Sequence, residues 1–108
     1  MSYLRLVCSD DDVHFTEDPA YQPIFGEGFQ ESFGIEDCRV ATMDDGYYLT
    51  FTEVSPVAVG VGLISTKDFK TIKREGMIFP PHNTDCALFQ EKLGALYYAF
   101  PRPRSTEL

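Results

Sequence analysis

Tryptophan is absent from this sequence, histidine occurs twice and cysteine three times. Cys8, Cys38 and Cys86 are odd in number and far apart, which excludes a disulfide framework and a zinc knuckle. They read as reduced, buried thiols of a cytoplasmic protein. His14 and His82 have no metal-ligand spacing and are expected at the surface, so no metal site is expected. Basic residues are scarce, 9 against 17 acidic ones, giving a formal charge of -8. Nucleic acid and anionic membrane surfaces would be repelled on average. No run approaches the ~18 apolar residues of a membrane-spanning helix. The start, Met1 to Cys8, has no basic segment followed by an apolar one, so no secretory signal is read. Phosphate-loop and dinucleotide fingerprints are missing, as is a recognisable nucleophilic serine or cysteine setting, and no cofactor is expected.

What is present suits a packed β domain. Hydrophobic residues make up 44% of the chain and aromatics 14%, enough for a core. Short runs rich in Val, Ile, Tyr, Phe and Thr alternate with Gly, Pro, Asp and Asn. Strands are predicted at Tyr3–Val7, Arg39–Met43, Tyr47–Glu53, Val57–Ser65 and Lys70–Met77, the last ended by Pro80 and Pro81. Ser9–Val13 reads as a polar turn. Asp44-Asp45-Gly46 is suited to a tight hairpin. Gly60 and Gly62 lie inside a buried strand and signal the close approach of another backbone or a ligand. Cys86–Glu91 and Leu96–Pro101 read as a second hairpin around Gly94. At most one helical turn, near Thr66–Phe69, fits the pattern.

Internal repetition is the most informative feature. Asp37-Cys38 is followed by Gly46-Tyr47-Tyr48, and Asp85-Cys86 by Gly94 and Tyr97-Tyr98. The acids lie 48 residues apart and the tyrosine pairs 50. Leu6, Ser9, Asp11 and Phe15 echo Leu63, Thr66, Asp68 and Ile72 at a spacing of 57. A period near 50 residues, built from short strands, is that of a β-propeller blade. The fold class is therefore all-β, a partial propeller of about two four-stranded antiparallel blades. Residues 1–30 would end one blade, 34–80 would form a complete blade and 84–108 would start the next. A propeller needs about four or more blades to close. Open strand edges then expose unpaired N–H and C=O groups, and a homo-oligomer is expected.

Several segments carry a family resemblance. Phe33-Gly34-Ile35-Glu36-Asp37-Cys38-Arg39-Val40 resembles the "GIEDPRV" motif of glycoside hydrolase family 130. Asp45-Gly46-Tyr47-Tyr48-Leu49-Thr50-Phe51-Thr52 resembles its "DGTYYMTYT", and Ser65-Thr66-Lys67-Asp68-Phe69-Lys70 its "TSKDFK". Ile78-Phe79-Pro80-Pro81-His82-Asn83-Thr84-Asp85 is similar to "IFPPENKD", and Ala87-Leu88-Phe89-Gln90-Glu91-Lys92 to "ALFPEK". Ser2-Tyr3-Leu4-Arg5-Leu6, with Ser9 and Asp11, resembles "LRLA-S-DG". The order is the family's, nearly end to end, although family members are roughly three times as long. The resemblance implies a five-bladed propeller that cleaves β-mannosides by hydrolysis or by phosphorolysis, with inorganic phosphate as co-substrate.

Glycoside cleavage needs a proton donor for the leaving oxygen and, for inversion, a base or phosphate on the opposite face. Glu36-Asp37 begins a strand beside Arg39, a setting able to tune an acid. Taken alone, the residues favour an Asp37 that caps a turn and pairs with Arg39. The resemblance instead places Asp37 at the catalytic proton donor and makes Arg39 a sugar or acid-orienting contact. Glu36, Asp85 and Arg102 are the other candidate substrate contacts; turn-capping by Asp85 and a plain surface role for Arg102 are the alternatives. Tyr47, Tyr48, Tyr97 and Tyr98 could stack on sugars, but packing between strands suits adjacent tyrosines better.

Three departures weaken a full carry-over. Cys38 replaces the motif's proline, Thr84 replaces a basic residue resembling part of the phosphate grip, and Pro101 replaces the histidine of "HRP". Losing the basic residue tilts the expected attack toward water. The expected function is a truncated glycosidase or phosphorylase-like module for β-mannosides, inactive as an isolated monomer. The rivals are a non-catalytic carbohydrate-binding module and a self-assembling interaction protein without sugar activity.

Overall fold

The computed structural model describes residues 1–104; residues 105–108, the tail of the expected third blade, lie outside them. Eight strands run in order: β1 (Val7–Cys8), β2 (Thr16–Glu17), β3 (Gly34–Met43), β4 (Gly46–Val54), β5 (Val59–Thr66), β6 (Ile72–Phe79), β7 (Asn83–Leu88) and β8 (Ala99–Pro103). All pairing within these strands is antiparallel. A short 3₁₀ turn at Phe29–Glu31 precedes β3. The central sheet has the order β3-β4-β5-β6, flanked by the two-stranded sheets β1-β2 and β7-β8. The chain is all-β, as its alternating short runs predict. Among the described residues no helix is long and apolar enough to cross a membrane, which does not bear on membrane β-barrels.

The hairpin between β3 and β4 turns at Asp44-Asp45, with Met43 opposite Gly46. Gly46 takes φ 138, and a Cβ there would lie 2.8 Å from the Thr66 carbonyl oxygen of β5. Glycine is required by close backbone approach as much as by the turn. The strand predicted at Tyr3–Val7 is largely unpaired instead. Leu4 exchanges backbone hydrogen bonds with Ile24 at 2.9 Å each, and only Val7–Cys8 joins a ladder. The Thr66–Phe69 segment is not a helical turn. Thr66 Oγ1 accepts from the Phe69 N–H at 2.9 Å, and Asp68 Oδ1 accepts from Lys70 and Thr71 at 2.9 Å each.

Alternation along β4 divides its side chains between two faces. Leu49 and Phe51 join Ile35 and Ile64 in the core, against which Leu4, Ile24, Cys38, Tyr47, Phe69 and Ile72 pack. Burying each of these large apolar side chains contributes roughly 1.5–3 kcal/mol. The opposite face meets β7. There the buried Thr50 hydroxyl donates to the Cys86 carbonyl at 2.8 Å. Gly62 sits under β4, where a Cβ would come within 2.5 Å of both the Phe51 ring and Glu53 Oε1. The close approach signalled by this glycine is therefore made by two side chains of the neighbouring strand. Of the cysteines, Cys86 is buried, Cys38 half-buried and Cys8 exposed, so burial does not extend to all three. His14 is exposed, whereas His82 is half-buried.

Candidate functional site

Two strand starts carry the candidate acids in the same backbone geometry. In the β3–β4 ladder Glu36 faces Thr52 and Arg39 faces Thr50. Three steps along β3 therefore match two along β4, which is a β-bulge. Asp37 occupies it with φ 55. In the β7–β8 ladder Thr84 faces Arg102 and Ala87 faces Phe100, the same offset, and Asp85 sits in it with φ 50. Positive φ is disfavoured for most residues with a Cβ, and aspartate is among the side chains that tolerate it. A bulge bends its strand and re-aims the side chain it carries, which is how such steps present groups beside a site.

The surroundings of the two acids differ. Asp37 and Glu36 are exposed, and Glu36 Oε2 accepts from the Ser2 hydroxyl at 3.4 Å. Arg39 is exposed and, among the described residues, makes no ion pair, so the Asp37–Arg39 pair read from the sequence does not form. The bulge separates the two residues. Asp85 is largely covered and holds the Arg102 guanidinium at 2.5 Å. The register supplies this contact, because Arg102 lies opposite Thr84, one step from Asp85. Burial pushes the Cys38 thiol beside Asp37 up to about 11, so that sulfur is a neutral neighbour.

A second acid cluster lies behind the start of β3. Glu53 and Glu31 are both buried, and burial first and Glu31 second push the Glu53 carboxyl up to about 7. Arg74 of β6 reaches Glu31 at 2.7 Å, Glu27 at 3.2 Å and the Phe25 carbonyl at 2.5 Å. These bonds hold the segment that feeds Gly34 and hence Asp37. One sequence signal points to Glu53: in the alternation Leu49, Phe51, Glu53 it is an acid on the core-facing side of β4. Glu31 and Arg74 carry no comparable local mark.

The tyrosines pack on protein. Tyr47 lies against Phe69 with ring centres 4.6 Å apart, and Tyr48 against Tyr97 at 5.8 Å. The Tyr48 and Tyr97 hydroxyls both donate to Asp45 Oδ2, at 2.8 and 3.1 Å, tying the β3–β4 turn to the loop before β8. The first of these bonds holds Asp45 below the usual carboxylate range.

Repeated bulged hairpins and antiparallel sheets define the chain as part of a propeller-type all-β fold. Residues 2–103 match the family model described as beta-1,4-mannooligosaccharide phosphorylase, so the chain belongs to glycoside hydrolase family 130. It is 43% identical over 105 residues to a beta-1,2-mannobiose phosphorylase of Listeria innocua, covering 95% of this chain and 29% of that protein. It is 27% identical over 106 residues to one from Thermoanaerobacter sp., covering 94% of this chain and 34% of the relative. The solved structure of a Listeria innocua beta-1,2-mannobiose phosphorylase in complex with beta-1,2-mannobiose superposes with a TM-score of 0.89 at 38% identity, over 98% of this chain and 30% of that one. The chain thus spans about a third of the length of these relatives.

Proposed function

We propose that this chain is a partial mannoside-recognising module in which Asp37 occupies the proton-donor position. The observation that carries the reading is the bulged step within Gly34-Ile35-Glu36-Asp37-Cys38-Arg39, which sets an exposed carboxyl at a strand start in the family's motif. Glu36 and Arg39 flank that carboxyl and would contact the sugar. Asp85 and Arg102, paired at the second bulge, would contact a further hydroxyl or an anion. A β-1,2-mannobiose-like substrate is the class favoured by the names of the relatives.

In this reading a proton from Asp37 reaches the glycosidic oxygen as the bond to the anomeric carbon breaks. Water or phosphate attacks that carbon from the opposite face, an attacking water losing a proton to a general base there as the new C–O bond forms, which offsets the proton given by Asp37. Thr84 supplies no charge for a phosphate, so water is the favoured nucleophile. Three unpaired thiols fit a reducing, cytoplasmic setting. About two blades do not enclose a channel by themselves, so turnover needs further blades beside these.

The test is incubation with β-1,2-mannobiose, with and without phosphate, beside binding measured by NMR titration. Sugar binding with mannose release that Asp37→Asn abolishes is the expected outcome for the assembled protein. Binding without release would support the non-catalytic module. No binding of any β-mannoside would sink both and leave a scaffold.

A further inference from the structure

Glu53 is a buried carboxyl in an apolar alternation, and the groups around it decide the fate of its proton. Its ladder partners are Ile35 of β3 and Gly60 of β5, and Gly62 lies beside its Oε1. Neither strand sets a charged ladder partner against it, and the Cys38 thiol packed on the same core is neutral. Among the described residues, the charges that bear on Glu53 are the Glu31 carboxylate of the 3₁₀ turn and the Arg74 guanidinium of β6. Glu27 stands one step further out, bonded to Arg74.

With its proton in place, Glu53 donates to Glu31. Glu31 also accepts from Arg74 at 2.7 Å and from the Glu27 N–H at 3.0 Å. Once that proton is lost, three carboxylates surround one guanidinium. Glu53 and Glu31 are only 4% and 7% exposed, so water does little to screen their repulsion.

That repulsion has one soft outlet. Glu53 lies in a strand laddered on both sides, and Arg74 lies in a strand laddered to β5. Glu31 is carried by the stretch from Phe25 to Phe33, which joins no ladder. Arg74 ties this stretch down at Phe25, Glu27 and Glu31, and the Phe33 N–H donates to the Val54 carbonyl at 2.9 Å. Gly26 and Gly28 bracket Glu27. A Cβ at Gly26 would meet the Glu31 carbonyl oxygen at 2.5 Å, and Gly28 takes φ 72, so both sites depend on glycine. The stretch then runs through Gly34 into β3, three residues before Asp37 and its bulge.

We propose that the Glu53–Glu31 contact beneath Arg74 is a pH-sensitive latch on the stretch from Phe25 to Phe33, closed while Glu53 carries its proton and released once the proton is lost, and that through Gly34 it sets the aim of Asp37. Glu53 is thereby a positioning residue. Its effect on a sugar rests on the function proposed above, whereas the latch itself does not. The closed form holds the proton up to about 7, against an ordinary value of 4.5. Support for closure is therefore complete below the lower value and is lost as pH rises through the upper one.

Amide hydrogen exchange on the unmodified chain tests the latch without sugar. Corrected for intrinsic rates, protection of the Glu27 and Phe33 N–H groups should fall about tenfold from pH 6 to pH 8. The Leu49 and Phe51 amides of the central sheet should stay better protected than these at both pH values, which marks the opening as local. The Asp37 amide resonance should shift with a midpoint near about 7. Glu53→Gln keeps a donor toward Glu31 that no base removes, so both changes should vanish in a variant with an unchanged circular dichroism spectrum. Protection that is flat across this range, or that falls equally in Glu53→Gln, would overturn the latch. So would exchange of Glu27 and Phe33 in step with Leu49 and Phe51. Should the variant misfold, the parent's profile still decides. An Asp37 resonance that stays still while the stretch opens would remove the positioning role.

Titration with β-1,2-mannobiose at pH 6 and pH 8 adds the sugar arm. Binding should weaken at pH 8 in the parent and not in Glu53→Gln. Equal binding by the parent at both would also remove the positioning role. No binding at either pH would sink the sugar reading alone, with the latch decided by exchange.

Discussion

Asp37 and Asp85 stand 48 residues apart and occupy the same left-handed step of a bulged strand, at φ 55 and φ 50. Their difference is electrostatic: Asp85 is held by Arg102, and Asp37 has no such partner among the described residues. Asparagine shares aspartate's tolerance of this backbone, whereas a β-branched residue does not. Asp37→Asn should therefore leave thermal stability nearly unchanged, and Asp37→Val should lower it by about 1–2 kcal/mol. Urea melts of the two variants check this. Any loss of sugar turnover in Asp37→Asn would then be chemical rather than structural.

The buried carboxyl of Glu53 makes stability depend on pH. The folded chain holds the Glu53 proton up to about 7, against an ordinary value of 4.5. The folded state thus binds more protons than the unfolded one between these limits, and stability falls as pH rises through that window. Glu53→Gln keeps a hydrogen-bonding group without the charge and should flatten the contribution. Melts of both proteins from pH 4.5 to 8 provide the comparison. A parent curve no steeper than that of Glu53→Gln would count against the proton being held.

Gly62→Ala should destabilise by about 1–3 kcal/mol, because the new methyl group meets the Phe51 ring and Glu53 Oε1 at 2.5 Å. Phe51 is buried and has little room to yield. Chemical denaturation measures the loss. A neutral substitution would mean that β4 and β5 separate more readily than their register indicates.

Thr50→Val removes the donor to the Cys86 carbonyl at a nearly isosteric position. The expected loss is about 1–3 kcal/mol, from a buried acceptor left without its partner. Hydrogen exchange should quicken in β7 and β8 and change little in β5 and β6. Uniform quickening would show that the hairpin and the central sheet open as one unit.

Much of this architecture was legible because β periodicity is local. The alternation from Tyr47 to Glu53 and the turn residues before it mark the β3–β4 hairpin without long-range information. The spacing of Asp37 and Asp85 was also visible, but their left-handed geometry was not, because a bulge is defined by two strands in register. The Arg102–Asp85 pair was hidden for the same reason. Tyr3–Val7 has strand composition and little ladder, because among the described residues only Leu4 and Val7 find ladder partners, at Ile24 and Glu17. The cluster of Glu31, Glu53 and Arg74 gathers three separate segments, and only the placement of Glu53 in an apolar alternation foretold any of it.

The division of the described strands into sheets of two, four and two has a mechanical consequence. The β7–β8 hairpin shares no backbone ladder with the central sheet and is fastened to it through side chains such as Thr50. A pull between them would part sheet from sheet before it unzipped a strand.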